Sequence, residues 1–256
     1  PADAQTIAHP KSFLMASSAA HMTPQERTSS FSLASIFALR MFGLFIILPV
    51  FAVYARELPG GDSETLVGIT LGIYGLTQGL LQIPFGVASD RLGRKPVIIF
   101  GLIIFALGSF LAASGANIWI VMLGRMLQGA GAISAAVTAF IADSVRVQVL
   151  TKAMAMVGAS IGLTFALSLL ISPPLTKLWG VSGLFTLTGI SALIAVLVVK
   201  FVVPPAPQSA IDEKNEHRSW RKVVCDPQLV RLNIGIFVLH AVLTAIFVVI
   251  PTRLVY

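Results

Sequence analysis

Residues 86–97, which read GVASDRLGRKPV, combine one acid, three bases and two glycines between two long apolar runs. A carboxylate beside guanidinium and ammonium groups can form ion pairs that are made and broken, and a glycine allows a turn tight enough to bring such groups together. The chemistry expected of this segment is therefore reversible charge pairing. Its candidate residues are Gly86, Asp90, Arg91, Gly93, Arg94 and Lys95.

Asp90 is the residue of this segment that most needs a partner. It lies near the end of a helix-length apolar run, where the helix dipole carries partial negative charge. Arg94, four residues on across the predicted turn, is one candidate partner, and Arg146, after a later apolar run, is another. Asp143 would complete the cluster by binding Arg91 or Arg94. The alternative, that the bases only orient the chain and bind anionic headgroups, explains neither the acid nor the glycines.

Three ionisable residues lie inside apolar runs, namely Arg40, Arg125 and His240. A charge at the centre of a bilayer costs from about 2.5 to more than 10 kcal/mol, so each must face a partner or water. The alternatives are snorkelling to a membrane surface for the arginines and hydrogen-bonded packing for the histidine. None of the eleven acids lies near the middle of an apolar run, which weakens the case for an embedded carboxylate as proton carrier.

Three amide side chains accompany these ionisable residues. Gln128 follows Arg125 by about one helical turn, and Gln78 and Gln82 are four residues apart and therefore share a helix face. We expect the amides and the three ionisable residues to line a cavity or to take part in coupling. Hydrogen bonding between helices would use Gln78 and Gln82 equally well.

Two apolar runs contain residues that favour close packing or bending. The second has small-residue spacing typical of packed membrane helices, at Gly68, Gly72, Gly75 and Gly79. In the fifth, Gly158 and Gly162 are four residues apart and precede Ser172-Pro173-Pro174. Because proline interrupts helical hydrogen bonding, we expect Pro173 to kink or end this helix, which would make it a moving part.

The composition determines the elements that must position these residues. The chain has 256 residues, 56% of them hydrophobic and 11% charged, with mean hydropathy +0.88. A soluble domain has about 25% charged residues, so a soluble enzyme is excluded. A helix of about 20 apolar residues crosses a hydrocarbon core. Seven such helices are predicted, over about 31–54, 66–88, 97–114, 118–142, 153–175, 180–203 and 232–250.

The predicted fold class is an all-α polytopic membrane protein. Residues 1–30 are predicted to be a disordered tail, of which 1–21 read as upstream or tag-derived sequence, and residues 31–203 to be a six-helix transmembrane bundle. Residues 204–231 are predicted to form a cytosolic linker with an amphipathic surface helix, and 232–256 the seventh transmembrane helix.

Charge and residue usage exclude other classes and set an orientation. The net charge is +7, but the Lys and Arg residues lie in short loops between apolar runs, so the positive-inside rule explains them better than nucleic-acid binding. The rule predicts a cytosolic N-terminus and a cytosolic loop at 86–97. The single cysteine and the four scattered histidines have no metal-ligand spacing, and no cofactor is predicted.

Three motifs carry a family resemblance. Residues 86–95 have the form GxxxDRxGRK between the second and third predicted helices, residues 125–131 have the form RxxQGxG, and RMFG with a later LP falls in the first helix. These resemble the signatures of the major facilitator superfamily and its drug-efflux branch, and the resemblance extends to the end of the chain. The fifth helix departs from the antiporter pattern, since its prolines come late and a glycine pair is missing.

The resemblance implies two six-helix bundles that alternate access to a substrate site between them. It implies proton-coupled efflux of small amphipathic compounds across a bacterial-type inner membrane. Asp90 would then also face a helix N-terminus of the opposite bundle, and the loop would latch the cytosolic side. The chain stops after the seventh helix, so we expect the C-terminal bundle to be missing. The alternatives are a facilitator without proton coupling and a non-transporting, half-length regulatory membrane protein.

Overall fold

The computed structural model describes residues 21–204 and 227–255, and every regular element in these ranges is an α-helix. The helices are α1 (Pro24–Phe45), α2 (Leu48–Glu57), α3 (Glu64–Leu92), α4 (Arg94–Ala113), α5 (Ile118–Ala130), α6 (Ser134–Ser144), α7 (Val147–Phe201) and α8 (Pro227–Val255).

Within the described residues, five helical segments are long and apolar enough to cross a membrane: Pro24–Glu57, Glu64–Leu92, Arg94–Ala113, Ile118–Ser144 and Val147–Phe201. The last contains 55 residues, about 80 Å of helix, which is more than twice the thickness of a hydrocarbon core. Gly180 divides it, with φ 66° and ψ 177°. The predicted all-α, multi-pass architecture is confirmed.

The helices group into spans. The first span is α1 with α2, the second is α3, the third is α4, and the fourth is α5 with α6. The fifth and sixth spans are the parts of α7 before and after Gly180. Helix α8 corresponds to the seventh helix predicted from the sequence. Ser160 and Ser172 of the fifth span donate hydrogen bonds to the Ala34 and Ile46 carbonyls. Residue numbers increase together from the first pair to the second, so the first and fifth spans run in parallel.

The first helix begins before the predicted boundary at residue 31. Thr23 Oγ1 accepts a hydrogen bond from the Glu26 N–H at 3.2 Å, and Glu26 Oε2 accepts one from the Thr23 N–H at 2.8 Å. This capping box satisfies backbone donors that a helix start otherwise leaves free. Residues 24–30 are therefore helical rather than part of a disordered tail.

The interior contains two main apolar clusters. One lies at the end of the bundle where Arg94 and Arg146 are found, which we call the basic end. This basic-end core includes Phe37 of α1, Leu102 of α4, Phe140 of α6 and Val199 of α7. The opposite-end core includes Phe51 of α2, Leu71 of α3, Val121 of α5 and Phe185 of α7.

A polar layer separates these two cores. It consists of Arg40, Ser109, Arg125, Gln128 and Thr188, all buried. On each span that contributes to the layer, the polar residues fall in sequence between residues of the basic-end core and residues of the opposite-end core. Burial of polar groups in a bundle requires hydrogen bonds, so packing in this layer is directional rather than purely apolar.

Close backbone contact joins the third and fourth spans. A Cβ on Gly124 would lie 2.7 Å from the Gly108 carbonyl oxygen, and one on Gly108 would lie 2.5 Å from the Gln128 nitrogen. Only glycine fits at these positions. The fourth span was predicted as one helix, but it is interrupted at residues 131–133, where Gly131 packs closely against Phe105.

The fifth span does not end at the prolines, which were predicted to kink or end it. Pro173 and Pro174 lie inside α7, and the non-helical backbone of α7 is at Gly180 instead. The chain reverses there because glycine adopts a positive φ without steric strain. A Cβ on Gly158 or Gly162 would meet no described atom within 4 Å. The same is true of Gly68, Gly72, Gly75 and Gly79, so the predicted close packing of these glycines is not made within the described residues.

Three predictions fall wholly or partly outside the described ranges. Residues 1–20 are not described, and neither are residues 205–226, which were predicted to hold the linker and its surface helix. Residues 227–231, predicted as linker, already belong to α8. His240 lies in α8, but its side chain is not described.

Replacement of Gly180 tests the reversal. Gly180→Ala should lower the free energy of unfolding by about 1–3 kcal/mol, because its φ and ψ are nearly exclusive to glycine. Gly162→Ala is the matched control, since a Cβ there is unopposed and alanine favours a helix. Thermal unfolding in detergent compares the two variants. Equal losses would contradict the assignment of the reversal to Gly180.

Candidate functional site

One residue connects the second and third spans. Helix α3 ends at Leu92, α4 begins at Arg94, and Gly93 between them has φ 94° and ψ 152°. A positive φ of this kind strains residues with a side chain. Because the turn is so short, the last turn of α3 faces the first turn of α4.

Arg94 is the centre of the site. Its Nη1 lies 2.5 Å from an Asp90 carboxylate oxygen, and its Nε donates to Asp143 Oδ2 at 2.8 Å. Nη1 also donates to Ser89 Oγ at 2.7 Å. The Arg94 side chain is 12% exposed and that of Asp143 6%, whereas that of Asp90 is 63% exposed. One guanidinium therefore joins the second, third and fourth spans.

The positions of Asp90 and Arg94 explain why they pair. Asp90 lies in the last turn of α3, where the helix dipole disfavours an acid, and Arg94 lies in the first turn of α4, where it disfavours a base. Each charge compensates the other. Asp143 supplies a second negative charge, which the nearly buried guanidinium needs in a region of low dielectric.

Arg146 has a different partner from the predicted one. Its Nε donates to Glu26 Oε1 at 2.8 Å, its Nη2 donates to Glu26 Oε2 at 3.2 Å, and its backbone N–H also donates to this carboxylate. Nη2 also donates to the His21 carbonyl oxygen. The bond to Glu26 raises the pKa of Arg146 above its ordinary value. Arg146, the residue that precedes α7, thus joins the start of α1 to the start of α7.

The remaining residues of the motif have separate positions. Lys95 Nζ donates to the Val203 carbonyl oxygen and so joins the third span to the end of the sixth. Arg91 is exposed, and within the described ranges it forms no ion pair. Gly86 lies against the fourth span, where an added Cβ would be 3.7 Å from Ala135 Cβ.

Arg125 is part of a hydrogen-bonded chain in the polar layer. It is 1% exposed, and its Nη1 donates to Gln128 Oε1 at 3.0 Å. Gln128 Nε2 donates to Ser109 Oγ at 2.8 Å, and Ser109 donates to the Phe105 carbonyl. The guanidinium also lies over the Tyr74 ring, 4.7 Å from its centroid. Arg125 therefore faces the third and second spans and does not reach a membrane surface.

Arg40 is also buried in the bundle. It is 1% exposed, its Nη1 donates to Ser134 Oγ at 3.0 Å, and its guanidinium lies 5.7 Å from the Phe105 ring centroid. In this position it does not snorkel. Gln78 and Gln82 are both half-buried on α3. The Gln82 Oε1 atom has no hydrogen-bond partner among the described residues.

Sequence reasoning missed several members of these networks. The role of Glu26 at the helix start could have been predicted, because Thr23 and Glu26 have the spacing of a capping box. Ser89, Ser109 and Ser134 carried none, since an isolated serine in an apolar run is most often a packing residue. Among the described residues, no group of three His, Cys, Asp or Glu side chains is arranged to hold a metal ion.

Comparisons with known proteins agree with this architecture. Residues 33–256 match the family model described as Major Facilitator Superfamily. The chain is 45% identical over 235 residues to the inner membrane transport protein YajR of Escherichia coli (strain K12), covering 91% of the chain and 52% of the relative. The chain thus spans about half the length of this relative.

Two further proteins are similar over part of the chain. The class B tetracycline resistance protein of Escherichia coli is 35% identical over 127 residues, covering 49% of the chain and 32% of that protein. The crystal structure of the human organic anion transporter MFSD10 (TETRAN) superimposes with a TM-score of 0.64 at 19% identity, covering 72% of the chain and 49% of that structure. The second likeness concerns the fold alone.

The two acids that bind Arg94 should differ in their effect on stability. Asp143→Asn removes the carboxylate of a nearly buried pair and should lower the free energy of unfolding by about 3–5 kcal/mol. Asp90→Asn removes an exposed carboxylate and should cost no more than about 1 kcal/mol. Chemical unfolding in detergent measures both values. An equal or reversed order would contradict the assignment of Asp143 as the more important partner of Arg94.

Proposed function

The chain belongs to the major facilitator superfamily, and we propose that it forms the N-terminal bundle of a secondary active transporter that exports small amphipathic compounds in exchange for protons. The bridge that Arg94 makes between Asp90 and Asp143 is the observation that carries this proposal. Because the chain spans about half the length of the relative YajR, the activity is proposed for the whole protein.

The bridge fits the role of a latch. Arg94 and Asp143 are nearly buried and hold three spans together, whereas Asp90 keeps most of its side chain exposed. An exposed carboxylate at the end of the bundle is available to the positive end of a helix in the second bundle. Contact there would close the basic end, and its loss would open that end.

The distribution of bases supports the orientation of this latch. The helix ends and connections at the basic end contain Arg91, Arg94, Lys95, Arg146 and Lys152, whereas the opposite end contains Arg56 and Lys177. The positive-inside rule therefore favours a cytosolic basic end and a cytosolic N-terminus in an inner membrane. Arg91, which is exposed, is suited to contact anionic lipid headgroups.

The interior of the bundle supports a role in transport rather than in channel conduction. A buried chain of Arg125, Gln128 and Ser109 crosses from the fourth to the third span, and Arg40 is buried nearby on the first. Ionisable residues in membrane segments mark substrate or proton pathways by default. The likeness of about half of this chain to a tetracycline resistance protein supports a small organic compound as the substrate.

A facilitator without proton coupling is the second candidate. The described acids are Glu26, Glu57, Asp62, Glu64, Asp90 and Asp143, and all of them lie near helix ends or in loops. Within the described residues, no carboxylate is therefore placed at mid-membrane to carry a proton. If proton coupling occurs, its carboxylate belongs to residues other than these, or the coupling acts through the buried arginines.

Asp90→Asn tests the latch. The full-length variant should reach the membrane in normal amounts but should lose at least about nine-tenths of transport, because a neutral amide interacts weakly with a helix dipole. Glu64→Gln, which alters an exposed ion pair at the opposite end, is the control. Export from cells of a fluorescent amphipathic compound measures the rate. Normal export by Asp90→Asn would exclude the latch.

Proton coupling is tested in liposomes that contain the purified full-length protein. Addition of an amphipathic cationic dye should release or take up protons, and an imposed pH gradient should drive dye accumulation. A pH-sensitive fluorophore and dye fluorescence report the two fluxes. Dye flux that does not depend on the pH gradient would favour a facilitator without proton coupling. Absence of flux for a range of compounds would contradict the proposal that the protein is a transporter.

A further inference from the structure

The first span is interrupted just beyond the polar layer. Helix α1 ends at Phe45 and α2 begins at Leu48, although Ile46 and Ile47 keep right-handed helical backbone angles. Pro49 has no N–H to donate to the Phe45 carbonyl. The Val50 N–H donates to the Ile47 carbonyl at 3.3 Å, so the Ile46 carbonyl lacks its intrahelical donor as well.

Ser172 of the fifth span satisfies the Ile46 carbonyl. Its Oγ donates a hydrogen bond to this oxygen at 2.5 Å, and the side chain is fully buried. Ser172 immediately precedes Pro173 and Pro174, each of which removes one hydrogen bond from α7. Two parallel helices are therefore weakened at the same level and are joined there by one side-chain hydrogen bond.

The contacts on either side of this level belong to different groups. Toward the basic end, Ser160 holds the Ala34 carbonyl and Arg40 holds Ser134. From Ile46 onward the first span packs in the opposite-end core, which includes Ile46 and Ile47 themselves. The aromatic rings of Phe45, Phe165 and Phe247 meet edge to face and connect the break to α8.

We propose that the first span bends at this level, where it passes from the polar layer into the opposite-end core, and that Ser172 is the positioning residue that keeps the first and fifth spans in register as they bend. The inference rests on the proposed transport cycle. Packed apolar contacts resist gradual deformation, so a bend is expected where backbone hydrogen bonds are missing. Backbone hydrogen bonds are missing at Ile46 and at the paired prolines, so the first and fifth spans are easier to bend there.

A matched pair of serines isolates this hydrogen bond. Ser172→Ala removes the donor to Ile46, whereas Ser168→Ala, one turn earlier on the same helix, removes a buried hydroxyl with no hydrogen-bond partner among the described residues. Ser172→Thr keeps the hydroxyl and should restore the wild-type behaviour. Pro49→Ala returns an N–H to the first span and should stiffen the break.

The experiment measures the bend directly. Spin labels at Phe31 and Glu57, both exposed, are placed in full-length protein whose native cysteines, including Cys225, are replaced by serine. Their separation of about 40 Å along the helix suits pulsed electron resonance. Relative to wild type, the distance distribution should broaden in Ser172→Ala, narrow in Pro49→Ala, and stay the same in Ser168→Ala and Ser172→Thr.

Transport is measured on the same variants. Ser172→Ala should reduce the transport rate roughly tenfold, because loss of a buried hydrogen bond leaves the carbonyl unsatisfied, and Ser172→Thr should recover it. If Ser172→Ala and Ser168→Ala give the same distance distributions and the same transport rate, the proposed bend is wrong. If the distances change as expected but neither the wild-type protein nor any variant transports a compound, the proposed function is wrong and the proposed bend is retained.

Discussion

The absence of water inside a bilayer is the constraint on which this structure depends. Backbone groups there must bond within helices, and charges must find partners in the protein. The described chain meets the first demand with long helices and the second by placing its acids at helix ends. Arg40 and Arg125 are the exceptions. A serine of another span accepts a hydrogen bond from Arg40, a glutamine of the same helix accepts one from Arg125, and each guanidinium lies over an aromatic ring of another span.

The same constraint gives the basic end and the interior of the bundle different kinds of contact. At the basic end, ion pairs join the helix termini: Arg94 binds Asp90 and Asp143, and Arg146 binds Glu26. Deeper toward the opposite end, proline has removed backbone donors, and the hydroxyl of a neighbouring span replaces one of them. Ion pairs suit the proposed opening and closing of the basic end, and a single hydroxyl suits the proposed bend within the membrane.

Much of the fold was predictable because hydrophobic runs of membrane length have few other solutions. The boundaries were less predictable, and each miss has a local cause. The capping box at Thr23 and Glu26 extends the first helix toward the N-terminus. The chain reverses at Gly180 rather than at the prolines, since an α-helix that spans a membrane can retain proline where neighbouring groups satisfy the freed carbonyls.

The amino-acid sequence by itself determined the membrane class, the family motifs and the residues that bear charge in the loop at 86–97. Only the tertiary structure decided which charges meet. Asp143 and Arg146 are three residues apart, yet one binds Arg94 and the other binds Glu26. Such pairings depend on how helix ends from distant parts of the chain come together, and spacing along a sequence carries no information about that approach.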